Sequence, residues 1–127
     1  MDRALSGHPE NVKVAAPYAP AAGSPWIAAA NGDFTAWSGP WGISFAANLT
    51  PDTNTGLRSG VWTEALFIKA IRTGKHFGTS RDILPPMSWP AYALMTDDEL
   101  RAIWEYLGTI RPITNHVPDP IPPAAAQ

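Results

Sequence analysis

TDDELRAIWEYLG, Thr96 to Gly108, is the stretch from which the rest of this sequence can be read. Thr96 and Glu99 have the spacing of a reciprocal capping box, and Asp97 and Asp98 favour the positive end of a helix dipole. Leu100, Ile103, Trp104 and Leu107 then fall at i, i+3, i+4 and i+7, the period of one apolar helix face. The spacing predicts an amphipathic helix over about 97–108, ending near Gly108, with Pro112 beyond it.

A second helix is expected upstream, in WTEALFIKAIRTG, Trp62 to Gly74, over about 63–73. Thr63 is the N-cap candidate and Glu64 lies in the first turn. Phe67, Ala70 and Ile71 share a face, Lys69 and Arg72 come late, and Gly74 supplies the stop. Leu66 stands where a glutamate would complete a capping box, so only the single Thr63 cap is expected.

Between the two helices lies LPPMSWP, Leu84 to Pro90, in which Met87 is fenced by Pro85, Pro86 and Pro90 and followed by Trp89. A thioether is a soft, neutral ligand suited to copper(I) or haem iron, and so weak a bond needs stiff surroundings. The prolines stiffen the backbone and Trp89 is placed to exclude solvent. The competing reading is that Met87 fills an irregular gap in the core, which methionine does well.

Upstream of residue 62 the chain reads as loop. From Val14 to Pro51 the one charged residue is Asp33, and PYAPAAGSPW and AWSGPWG are too rich in proline and glycine to continue a helix or sit centrally in a sheet. Such a segment is expected to pack as a long arm on its own domain, the alternative being a surface kept for another molecule. No strand alternation stands out. The expected architecture is therefore mainly α with long Pro/Trp-rich loops, in one domain: irregular over 1–61, helical over 62–111, with a Pro-rich tail over 112–127.

The 127 residues carry a net charge of −2, with 14 prolines, six tryptophans and only 16% charged residues. No basic cluster exists for a nucleic acid to use. No apolar run approaches the roughly 18–20 residues of a membrane span, and MDRALSGHPE lacks the order of a secretory signal. With no cysteine, disulfides, thiolate metal sites, cysteine nucleophiles and covalent CxxCH haem attachment are all excluded. No motif sets a base beside a nucleophile, so catalysis is not expected. His8, His76 and His116 stand in no metal-binding frame and are expected at the surface. Asn48-Leu49-Thr50 matches a glycosylation acceptor pattern but is followed by Pro51.

Several strings in order, GPWGISFAANLTPD, TG, Trp62, RTGKHFG, LPPMSWPAY, MTDDELRAIWEYL and NHVPDP, resemble the distal portion of bacterial class I c-type cytochrome domains, from about Leu5 to Pro123. The resemblance implies a cytochrome c-like fold and an exported, periplasmic electron carrier. Met87 would be the axial ligand to haem iron, framed by Pro85, Pro86 and Trp89. Arg72 and Asn48 are lesser candidates for haem propionates or the pocket edge.

The family's CxxCH segment and the N-terminal helix leading into it have no counterpart here, which suggests a chain begun at an internal methionine. The resemblance further implies a redox partner such as a dehydrogenase or oxidase. With its usual cover missing, the C-terminal helix is expected to expose its stripe and drive a homo-oligomer. The alternative function is a haem-free, cytochrome-like interaction module that binds a protein partner through its tryptophan-rich loop.

Overall fold

A computed structural model describes residues 2–14 and 21–123. Met1, part of the PYAPAAGSPW loop and the last residues of the tail lie outside the described residues. In chain order the elements are β1 (Ala29–Ala30), β2 (Ala36–Gly39), β3 (Gly42–Phe45), α1 (Glu64–Thr73), a helical turn at His76–Gly78, α2 (Trp89–Tyr92) and α3 (Asp97–Leu107).

The mainly α expectation is corrected by the first of these. Three short strands form an antiparallel sheet in the order β1-β2-β3, and most of the remaining chain is loop. Pro40 argues against a strand in its neighbourhood, yet it does not lie in one. It sits with Trp41 in the tight turn between Gly39 and Gly42, where its missing N–H costs no ladder bond. Gly42 has φ 96°, and a Cβ there would stand 2.0 Å from the Ile121 carbonyl oxygen. That close approach lets the tail bridge Ile43, whose N–H donates to Ile121 O at 2.8 Å. The β1–β2 turn is held by the Asn31 side chain, which accepts from the N–H of Thr35 at 2.8 Å and of Ala36 at 3.0 Å.

The helices form where their caps place them. The Thr63 hydroxyl accepts from Leu66 N–H, and Gly74 ends α1 in the left-handed region at φ 68°. In α3 the capping box is complete: Glu99 N–H donates to Thr96 Oγ1 at 3.1 Å, and Thr96 N–H to Glu99 Oε2 at 2.8 Å.

The apolar stripe of α3 is not open to a partner. Leu100 is 1% exposed, and Trp104 and Leu107 form a cluster with Leu57, packed by Leu49, Trp62, Phe67, Ile103 and Ile110. The exposed C-terminal helix expected to drive a homo-oligomer is thus corrected: loop residues from 49–62 and α1 supply the cover within the chain. Arg58 adds to it by stacking 3.9 Å from the Trp104 ring and donating to the Trp104 carbonyl at 3.2 Å.

A buried polar belt joins the segments that have no regular structure. The Asn48 amide nitrogen donates to the carbonyls of Ile113 at 2.9 Å and Asn115 at 3.1 Å. The Asn115 amide donates to Ser6 O at 2.8 Å and His8 O at 2.9 Å, while its oxygen accepts from Glu10 N–H at 3.0 Å. Asp52 accepts from Thr55 and Thr114 hydroxyls at 2.7 and 2.9 Å. These bonds hold its carboxyl below the usual carboxylate range, chiefly through Thr55.

Two measurements test the belt. Asn115→Ala strands the carbonyls of the buried residues Ser6 and His8 at about 1–3 kcal/mol each. It is therefore expected to lower unfolding free energy in urea by more than about 2 kcal/mol, and a loss near zero would show the belt to be dispensable. For Asp52 the folded pKa is the depressed one, so its contribution is complete above the ordinary value of 3.8 and fades as pH falls through the folded value. Asp52→Asn should flatten the acid limb of the stability curve below about pH 4, and an unchanged limb would contradict that assignment.

Candidate functional site

Met87 rises from a loop that is bound to the scaffold at both ends. At the start, Lys75 pairs with Asp82 in an isolated antiparallel bridge, and their side chains form an ion pair. Arg81 O accepts from His76 N–H at 2.8 Å, and Gly74 O accepts from Ile83 N–H at 2.8 Å. The tight turn itself closes with Met87 N–H donating to Leu84 O at 3.2 Å, across a Pro85–Pro86 bond that is cis.

The sheet holds the middle of the loop. Trp41 Nε1 donates to Ser44 Oγ at 3.1 Å, and that hydroxyl donates in turn to the Pro85 carbonyl. β3 therefore fixes the residue two before Met87. Trp89 packs on the end of α1, since a Cβ on Gly74 would lie 2.3 Å from its indole ring. Here glycine is required twice, for the positive φ and for the ring.

Arg72 closes the far end. One guanidinium nitrogen donates to the carbonyls of Ala93 and of Met95, the latter at 2.6 Å, and the other donates to Asp97 at 2.6 Å. Asp97 is the first residue of α3, so one side chain joins the end of α1, the exit of the loop and the start of α3.

The sequence candidates thus part company. Met87, Pro86 and Trp89 share the loop, Met87 being 41% exposed and Pro86 exposed beside it. Arg72 serves as the brace of that loop, with its guanidinium occupied by the protein. Asn48 lies in the polar belt, 7% exposed, its amide used by backbone carbonyls and its oxygen by Thr50. The same burial withholds it from glycosylation. Sequence reasoning misses Ser44 and Gly74 as parts of the site: a serine 41 residues away leaves no local signal, while Gly74 signals only a helix stop.

The histidines also separate. His8, expected at the surface, is fully buried, its ring bonded to Thr35 Oγ1 at 3.0 Å and to Val12 O at 2.8 Å. His76, also expected there, is half-buried against Trp62 and Phe77, and burial, then the Arg81 charge, lower its proton affinity while Asp119 opposes them. His116 is exposed. Among the described residues no three His, Cys, Asp or Glu side chains gather into a metal-ion site.

The donor chemistry fits one side of a haem: a neutral thioether, half-exposed, on a backbone whose position is fixed by Gly74, Ser44 and Arg72. It does not fit covalent attachment, because the chain has no cysteine. Two recesses, of about 210 Å³ beside β1 and β2 and about 180 Å³ between Leu5 and the end of α3, are lined by other residues than Met87. No helix of the described residues is long and apolar enough to cross a membrane.

Gly74→Ala is expected to unseat Trp89, since the new methyl meets the indole ring and the φ disfavours any side chain. Protease cleavage within residues 84–95 should rise several-fold, with α3 unchanged by circular dichroism. Equal cleavage of both forms would show that Trp89 does not seat the loop.

No family model matches this chain. It is 30% identical over 92 residues to a nicotinate dehydrogenase subunit of Pseudomonas putida, covering 70% of the chain and 7% of that protein. It is 35% identical over 68 residues to the gluconate 2-dehydrogenase cytochrome c subunit of Pantoea cypripedii, covering 53% and 14%. A further 32% identity over 84 residues, 63% and 17%, links it to the alcohol dehydrogenase (quinone) cytochrome c subunit of Gluconobacter oxydans. The chain spans less than a fifth of the length of these curated relatives, and what it resembles is a stretch of dehydrogenase subunits, two of them cytochrome c subunits.

Proposed function

We propose that this chain forms the methionine-ligand side of a cytochrome c-like electron-transfer domain that works beside a dehydrogenase, in the periplasm or another exported compartment. The observation that carries the reading is the bracing of Met87: a half-exposed thioether on a loop fixed to α1, β3 and the start of α3. The similarity to cytochrome c subunits of dehydrogenases supports it.

In this role the chain positions and does not catalyse. A bound haem supplies the one-electron couple. Met87 offers its sulfur, Pro85 and Pro86 limit the backbone freedom that a weak ligand would otherwise lose on binding, and Trp89 keeps the loop seated on Gly74. Arg72 prevents the exit of the loop from drifting away from α3. A braced ligand gives up little entropy when it binds, so a neutral thioether becomes sufficient.

The family's histidine side rides on a CxxCH segment that this sequence does not contain, so the test supplies it in trans. A short CxxCH peptide carrying covalent haem is titrated with the chain. The expected result is a low-spin spectrum with the far-red sulfur-to-iron charge-transfer band, lost in Met87→Ala and weakened in Arg72→Met. A spectrum indifferent to Met87 would refute the reading and leave the haem-free interaction module in its place.

A further inference from the structure

AWSGPWGIS, Ala36 to Ser44, runs through β2, the turn between Gly39 and Gly42, and into β3, and it folds one tryptophan back on itself. The Trp41 indole lies over Gly39, where a Cβ would stand 2.4 Å from the ring, so only glycine leaves it that seat. From there its Nε1–H donates to the hydroxyl of Ser44, which is 6% exposed. An indole nitrogen only donates and a carbonyl only accepts, whereas a hydroxyl does both. With Trp41 on its oxygen, Ser44 directs its own proton to Pro85 O, so the chain of bonds has one sense. Donation to the hydroxyl oxygen also strengthens the bond that the hydroxyl gives.

The carbonyl held in this way is the middle one of the turn formed by Leu84, Pro85, Pro86 and Met87. Two φ and two ψ angles define such a turn. The pyrrolidine rings fix φ at Pro85 and Pro86. Met87 N–H, donating to Leu84 O at 3.2 Å, orients the peptide that follows Pro86. What remains is ψ of Pro85, the rotation that swings its carbonyl, and Ser44 fixes that rotation from outside the turn. Neither proline carries an N–H, so carbonyls are the only backbone handles that the pair offers to the sheet. Both prolines are exposed, and water would take the Pro85 carbonyl if Ser44 did not.

We infer that Trp41 and Ser44 are positioning residues for Met87: their hydrogen-bond chain controls the one torsion of the turn that the prolines and the turn's own bond leave free. This rests on Met87 being the ligand, and it assigns to the hairpin the firmness with which that ligand is held. Neither side chain has to touch the bound group. Their effect passes through Pro85 O, two residues before the sulfur, by reducing the conformations from which Met87 must be gathered. The tryptophan and the two glycines of the hairpin thus serve the methionine loop, 41 residues on from Ser44 at the point of contact.

The experiment loads the full chain with the CxxCH haem peptide and measures how much added imidazole halves the sulfur-to-iron band, together with the reduction potential. Ser44→Ala frees the torsion and should need about fivefold less imidazole, the equivalent of one lost hydrogen bond, with a lower potential. Trp41→Phe keeps a ring over Gly39 and loses only the N–H, so it should fall between Ser44→Ala and wild type. An imidazole requirement and a potential unchanged in Ser44→Ala would overturn the inference and leave Met87 standing as the ligand. Trp41→Phe that matches wild type would remove Trp41 from the assignment. A wild-type band indifferent to Met87 would end both readings together.

Discussion

Asn48 and Asn115 hold together the parts of this molecule that no helix or strand organises. Each asparagine presents donors and an acceptor to backbone groups of the irregular segments, and Asn115 alone reaches the buried Ser6 and His8 and the exposed Glu10 across more than a hundred residues of sequence. Leaving such groups unsatisfied is expensive in a low dielectric, so the arrangement is all or nothing. With the belt in place, the N-terminal segment, the 48–57 loop and the tail occupy fixed positions. The hydrophobic cluster of Leu57, Trp104 and Leu107 can then close over α3.

The methionine loop inherits its geometry from that closure. The tail bridges β3 at Ile43, and β3 in turn presents Ser44 to the Pro85 carbonyl. α3 fixes Asp97, to which Arg72 is bonded. Met87 is thus held through two routes, one from the sheet and one from the helices, although the residues next to it are exposed. A solvent-facing turn would ordinarily sample many conformations. Here the hydrogen bonds to Pro85, Ala93 and Met95 confine it.

Much of this is legible in the sequence where the signal is local. Thr63, Thr96, Glu99, Gly74 and Gly108 mark helix ends because caps act within four residues, and both helices lie where those residues indicate. The sheet is not legible. Its strands are two to four residues long, and Pro40, which argues against a strand, occupies the turn between two of them. Long-range partnerships are likewise hidden. Arg72 suggests a contact for haem propionates because it is a cation near the expected site, yet its partners are carbonyls 21 and 23 residues away. Asn48 suggests the same and belongs to the belt. The burial of His8 follows from a contact with Thr35, 27 residues on, which no spacing rule encodes.

The central claim is that Met87, and not another thioether, is the ligand this fold presents. The chain has three methionines, so a sample labelled with ¹³C at the methionine methyl groups gives one signal for each. In the presence of the reduced, diamagnetic CxxCH haem peptide, the porphyrin ring current should move the Met87 methyl proton far upfield of the protein envelope, leaving Met1 and Met95 where they were. If all three methyls keep their positions, or if Met95 moves in place of Met87, the account is contradicted.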